Sequence, residues 1–155
     1  MRMTWRTTLA TVVVLLGLAG PAGAADPVAR ADGETPDTRV ELQELKRGSD
    51  GTLMLRMALV NDSDKSLNIA CELRESGSES CGSISGVHLL DGAGKKKYLV
   101  LRDAGGTCVC SRGLKVVPAK SRINVWAKFP APPADVQKVS VVVPTFIPMD
   151  DVPLR

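Results

Sequence analysis

The chain has 155 residues, 44% of them apolar and 24% charged, a balance that excludes a disordered or fibrous chain and fits one globular domain. Lys and Arg number 20 against 17 Asp and Glu, too even a balance to point to nucleic acid, which requires a clustered basic face. Aromatic residues are only 3% of the chain, so any core must be built from Val, Leu, Ile and Met.

Residues 1–24 read as a secretory signal peptide. Arg2 and Arg6 supply a positive start, Leu9 to Leu18 an apolar run, and Ala22-Gly23-Ala24 a small-residue cleavage site. A membrane span needs about 20 apolar residues, and this run stops at Gly20-Pro21. Cleavage after Ala24 removes two cations and no acid, leaving 20 − 2 = 18 against 17 and a net charge of +1. No Cys lies near the cut, so the chain is expected to be released without a lipid anchor or a membrane span. Residues 25–38, ADPVARADGETPDT, hold hardly any large apolar side chain. They are expected to form a flexible leader, because such a segment buries too little surface to offset its ordering entropy.

From residue 39 to residue 155 the chain reads as short strands. Val40 and Leu42 begin the first, which turns at Arg47-Gly48-Ser49-Asp50-Gly51. In Thr52–Asn61, Leu53, Leu55, Met57 and Leu59 share one face; in Ser121–Phe129, Ile123, Val125, Ala127 and Phe129 do so; Val139, Val141 and Val143 repeat the pattern. This period-two alternation marks half-buried strands. Ile84–Leu90 and Lys97–Leu101 flank Asp91-Gly92-Ala93-Gly94 as a hairpin. Lys95 to Ser111, KKKYLVLRDAGGTCVCS, reads as a strand, a glycine turn and a cysteine-bearing return. About seven strands with turn signals near every tenth residue predict an all-β, immunoglobulin-like antiparallel sandwich; a small closed barrel shares the same local pattern.

Four cysteines, Cys71, Cys81, Cys108 and Cys110, in an exported chain predict two disulfides. Cys71–Cys81 with Cys108–Cys110 is the favoured pairing, since the first closes a polar loop that nothing else holds. Linking each upstream cysteine to one member of the Cys108-Val109-Cys110 pair stays open. A bond across one residue strains disulfide geometry, which leaves a redox role for Cys108 and Cys110 as an alternative function.

The residues of most catalytic classes are missing. His88 is the only histidine, and no nucleophile-elbow sequence accompanies it. Cys108 and Cys110 with His88, or Met54 and Met57 as thioethers for copper, match no metal motif. Asp62-Ser63-Asp64 and Asp150-Asp151 have too few ligands for calcium. Asn61-Asp62-Ser63 is a glycosylation sequon. No cofactor and no metal is expected, and the chain is read as non-enzymatic.

Partner-binding candidates are Trp126, Tyr98, Arg102, Lys95, Lys96, Lys97 and Phe146. Trp126 falls on the face opposite Val125 and Phe129, so its strand is either covered on both sides or offers an aromatic anchor. The lysine triplet is either a solvated hairpin end or a contact patch. The tail from Pro144, with Phe146, Ile147 and Val152, either closes one end of the sandwich or is presented to a partner groove.

The phrases KKKYLVLRDAGGTCVCS and WAKFPAPPADVQKVSVVVPTFIPMDDVPLR resemble, over residues 38–155, exported actinobacterial immunoglobulin-like proteins of unassigned role. Some of these accompany envelope proteins with a peptidoglycan-binding domain of the outer-membrane-protein-A kind. More loosely, NDSDKSL is similar to secreted immunoglobulin-like domains related to a mycobacterial antigen. The resemblance implies a sandwich at the cell envelope and transfers no catalytic residue. A binding or structural module with an envelope protein or surface as partner is therefore the expected function, with redox or metal handling at Cys108 and Cys110 as the alternative.

Overall fold

The computed structural model describes residues 26–77 and 81–155; the expected signal segment, residues 1–24, lies outside them. Ten strands follow in chain order: β1 (Ala29–Asp32), β2 (Thr38–Arg47), β3 (Thr52–Asn61), β4 (Leu67–Asn68), β5 (His88–Asp91), β6 (Lys96–Leu99), β7 (Val116–Val117), β8 (Ser121–Pro130), β9 (Lys138–Val142) and β10 (Met149–Pro153). Two four-stranded antiparallel sheets, β1-β2-β3-β8 and β10-β9-β5-β6, form the layers, and β4 pairs with β7. Among the described residues no helix is long and apolar enough to cross a membrane.

Seven of these strands account for the expected sandwich. Counting only β2, β3, β5, β6, β8, β9 and β10, the first, second and fifth share one sheet, and the seventh, sixth, third and fourth share the other. This is an immunoglobulin-like distribution in which the fourth strand lies on the opposite sheet from its place in constant-type domains. The place beside β8 is taken instead by the cysteine segment, where Val109 and Ser111 bond the backbone of Lys128 and Trp126.

The inward residues form one apolar cluster. Leu53, Leu55, Met57 and Leu59 of β3 meet Val125, Ala127 and Phe129 of β8 on one layer, and Leu89, Val139 and Val141 on the other. Complete burial of each large side chain among them stabilises the fold by about 2 kcal/mol. In β2 the apolar positions run Val40, Leu42, Leu45, which breaks period two. A bulge between Leu42 and Glu44 absorbs the extra residue and returns Leu45 to the core. The same device operates in β10, where a register shift between Met149 and Val152 keeps both inward. There the acidic pair is the inserted stretch, with Asp151 at φ 53°.

One expectation is corrected, and one open alternative is decided. The leader proposed for residues 25–38 is not free chain: Ala29 to Asp32 pair with Leu42 to Arg39, and Ala31 and Thr38 are buried. Its few apolar atoms suffice because β2 supplies a ready-made ladder. The tail from Pro144 is packed, with Phe146, Met149 and Val152 in the core and Arg155 bonded to the backbone of Leu45 and Arg47.

Asn61 closes the end of β3. It is fully buried, and its Nδ2 donates to the carbonyls of Lys65 (2.7 Å), Val117 (3.1 Å) and Pro118 (3.0 Å). Its Oδ1 accepts from Ser63 Oγ at 2.7 Å and Ser63 N at 3.1 Å. The sequon is therefore a structural staple, and its side chain is closed to a glycan. Replacing Asn61 by Ala strands buried carbonyls and is expected to cost about 3 kcal/mol in chemical denaturation; an unchanged midpoint contradicts this role.

At the β2–β3 turn, Gly51 takes φ 74° and Asp50 Oδ1 accepts from Thr52 Oγ1 at 2.6 Å and Thr52 N at 3.2 Å. These bonds, with the Lys128 ammonium, lower the Asp50 carboxyl from 3.8 to about 2. A carboxyl depressed in the folded state contributes stability above its ordinary value and loses it as pH falls through the folded one. The Asp50→Asn variant is expected to unfold with a flatter acid limb between pH 3.8 and about 2, measured by thermal denaturation; an identical limb refutes the assignment.

Candidate binding face

The two outer sheet faces differ in how their charges are used. On the first sheet the cross-strand rows place Glu44 beside Arg56 beside Trp126, and Glu41 beside Ala58 beside Asn124. Arg56 pairs with Glu44 at 3.1 Å, Arg122 and Arg39 both reach Glu41, Arg39 also reaches Asp62, and Lys128 and Lys120 pair with Asp50 and Asp64. Exposed pairs of this kind contribute little stability each; Arg30 of β1 and Lys46 of β2, exposed on the same sheet, enter none among the described residues. Trp126 stands among the pairs 41% exposed, so its strand is not covered on both sides. Its backbone is held by Ser111, whose N–H donates to the Trp126 carbonyl and whose Oγ accepts from the Trp126 N–H.

The second sheet presents a different surface. One row runs Leu99, His88, Val142 and the next Lys97, Leu90, Ser140. Leu90 and Leu99 remain 37% and 45% exposed, although their strand neighbours Leu89 and Val100 are buried. Lys95, Lys96 and Lys97 line the turn and the edge strand, and none of the three enters an ion pair among the described residues. Lys95 takes φ 52° to close the hairpin, and Asp91, which faces Lys96 in register, uses Oδ1 to accept from Gly94 N.

The loop carrying Cys71 overhangs one end of this face. Leu73 is buried, and its carbonyl accepts from Gly86 N at 2.9 Å. A Cβ on Gly86 would fall 2.4 Å from the Arg74 carbonyl, so only glycine lets the loop approach this closely. Between loop and sheet lies an open cleft of about 570 Å³, whose charged walls are Glu72, Arg74, Glu75 and Lys97 and whose apolar floor is Leu99 and Val142. His88 also lines it, with Nδ1 3.0 Å from the Gly86 carbonyl. Among the described residues no carboxylate or hydroxyl is hydrogen-bonded to this ring.

The remaining candidates separate. Arg102 is occupied, donating to Glu75 and to the Gly106 carbonyl. Phe146 is 8% exposed and packs in the core, so it offers no surface to a partner. Tyr98 points inward and packs against the core, with its hydroxyl buried and lacking a hydrogen-bond partner; it too is removed as a contact residue. Met54 and Met57 lie three apart on one strand and so face opposite ways, Met57 being fully buried. Leu90 and Leu99 were not singled out by the sequence, although two adjacent leucines in a strand require one to face out.

The cysteines are closed as Cys71–Cys81 and Cys108–Cys110, with Cα–Cα distances of 4.5 and 5.3 Å. Bonds of this kind belong to an oxidising, extracytoplasmic environment. Cys108 and Cys110 are 8% and 5% exposed, and neither pair leaves a free thiol. Among the described residues no group of three or more His, Cys, Asp or Glu is placed to hold a metal ion. The geometry thus defines a disulfide-bearing immunoglobulin-like sandwich whose second sheet carries unpaired lysines beside exposed leucines. No family model matches the chain, and no curated protein or solved structure matches it.

A buried hydroxyl without a partner costs about 1–3 kcal/mol. Tyr98→Phe is therefore expected to hold or raise the denaturation midpoint while leaving the fold unchanged by circular dichroism; a loss of more than about 1 kcal/mol shows that the hydroxyl has a partner.

Proposed function

We propose that this protein is an exported, non-enzymatic binding module of the cell envelope, and that it meets a partner protein through the outer face of the β10-β9-β5-β6 sheet. The observation that carries the reading is the pair of exposed leucines, Leu90 and Leu99, bordered by three consecutive lysines that enter no ion pair among the described residues. Five cations of the first sheet and its loops, Arg39, Arg56, Lys120, Arg122 and Lys128, sit in ion pairs. Lys95, Lys96 and Lys97 do not, and they border Leu90 and Leu99. Unpaired cations beside exposed apolar side chains are a cheap route to steered and then desolvated association. Export is supported by the signal-like residues 1–24 together with two closed cysteine pairs. The non-catalytic reading is supported by the partners of the only histidine.

Immobilised mature chain challenged with detergent-solubilised envelope proteins tests this. Wild type and Trp126→Ala are expected to retain the same protein, and Leu90→Glu with Leu99→Glu to lose it. Alkylation of the folded chain without reductant is expected to label no cysteine. Empty capture, equal capture by the double variant, or two labelled thiols each overturns the reading.

A further inference from the structure

We propose that the free edge of β6 takes an extended acidic segment of the partner protein as an added strand, which rests on the reading of this sheet as the docking face and specifies how it docks. β6 is the terminal strand of its sheet. Among the described residues no backbone or side-chain hydrogen bond reaches Lys96, Lys97, Tyr98 or Leu99 from outside the β5 pairing. The chain is next bonded only at Leu101, whose N–H donates to the Lys128 carbonyl on the other sheet at 2.8 Å. Four residues of edge, about 13 Å at the usual rise, therefore keep alternate N–H and C=O groups available. Every other sheet margin is occupied or interrupted. The β1 margin is bonded at Asp32, whose carbonyl accepts from the Ile147 N–H at 3.0 Å, the chain leaving β10 is bonded through Arg155 to Leu45 and Arg47 of β2, and the β8 margin carries Val109 and Ser111.

Charge selects the occupant. Lys96 and Lys97 lie on the open edge, Lys95 precedes them, and Arg74 lies on the cleft wall at the Leu99 end, all without ion pairs among the described residues. Against them stand Glu72, Glu75, which Arg102 already engages, and Asp91, which caps the turn. A strand added here alternates its side chains. One set lies beside Lys97 and Leu99 on the outer face, where acidic and apolar groups are both complemented. Main-chain bonds supply affinity and the side-chain pockets supply selectivity. An anionic lipid surface fits less well. The protruding turn is Asp91-Gly92-Ala93-Gly94, with nothing large and apolar to insert, whereas Leu90 and Leu99 lie on the sheet itself. Lysines on an edge also discourage pairing with a like edge, which disfavours a second copy of this chain.

The probe is a fluorescein-labelled decapeptide of alternating Glu and Val, followed by anisotropy against the full mature chain. Binding is expected to weaken about tenfold between about 0.05 and about 0.5 M salt. It is expected to be lost when a central Val is replaced by Pro, which removes an N–H donor, and to be absent for a Lys/Val peptide. Lys96→Glu with Lys97→Glu, checked for unchanged circular dichroism, is expected to bind the Lys/Val peptide in place of the Glu/Val one. Equal binding of the proline peptide, unaltered preference in the double variant, sedimentation of the wild type as a lysine-independent dimer, or lysine-dependent binding to phosphatidylglycerol vesicles without peptide binding each overturns the proposal. Envelope capture that needs Leu99 while the peptide stays silent removes the added strand and leaves the docking face standing.

Discussion

The structure depends on the double pairing of β3. This strand is bonded along its whole length to β8 on one margin and over nearly as much to β2 on the other. Its inward face, Leu53, Leu55, Met57 and Leu59, is completely or almost completely buried. Backbone groups with partners on both sides and side chains in a dry layer give it the lowest freedom in the molecule. Other elements attach to it in turn. β1 extends the ladder through β2, the second sheet packs on its inward row, and Asn61 at its end fixes the loop to residue 65 and the short β7.

How much of this was legible follows from whether the signal is local. β3, β8 and β9 carry uninterrupted alternation, and their inward residues are readable directly. The bulges were not readable: Val40, Leu42, Leu45 and Met149, Val152 look like broken patterns until a partner strand shows which residue is extra. β1 was missed for a related reason, because ARAD has almost no intrinsic strand preference and gains its form from pairing with Arg39–Leu42. Among the candidate contact residues, charge and exposure at Lys95–Lys97 could be read from the hairpin turn. The burial of Phe146 and the inward aim of Tyr98 depend on which end of the sandwich the chain crosses, a tertiary fact. Leu90 was hidden by a sequence, HLLD, and Leu99 by KKYL, short segments whose face assignment turns on one register choice.

The contrast between the faces is itself a physical argument. Ion pairs on the first sheet sit in rows set by register, each long side chain lying over a shorter neighbour such as Ala58 or Val60, both buried. Trp126 stands exposed among these pairs. The second sheet puts Lys96 and Lys97 at its β6 margin and leaves Leu90 and Leu99 open, and its Lys138–Asp151 pair lies at the β9–β10 end, away from them. Specificity on such a surface comes from geometry and sign, and the cleft under the Cys71 loop limits how far a bound segment extends past Leu99.

Both covalent cross-links span short stretches of chain, 10 residues in one case and 2 in the other. Neither ties one layer of the sandwich to the other, so the layers are held by packing and hydrogen bonds alone. The order of bond formation follows from this. Each cysteine precedes or follows its own mate with no cysteine of the other pair between them, and all four lie before β8, so neither bond has to wait for that strand.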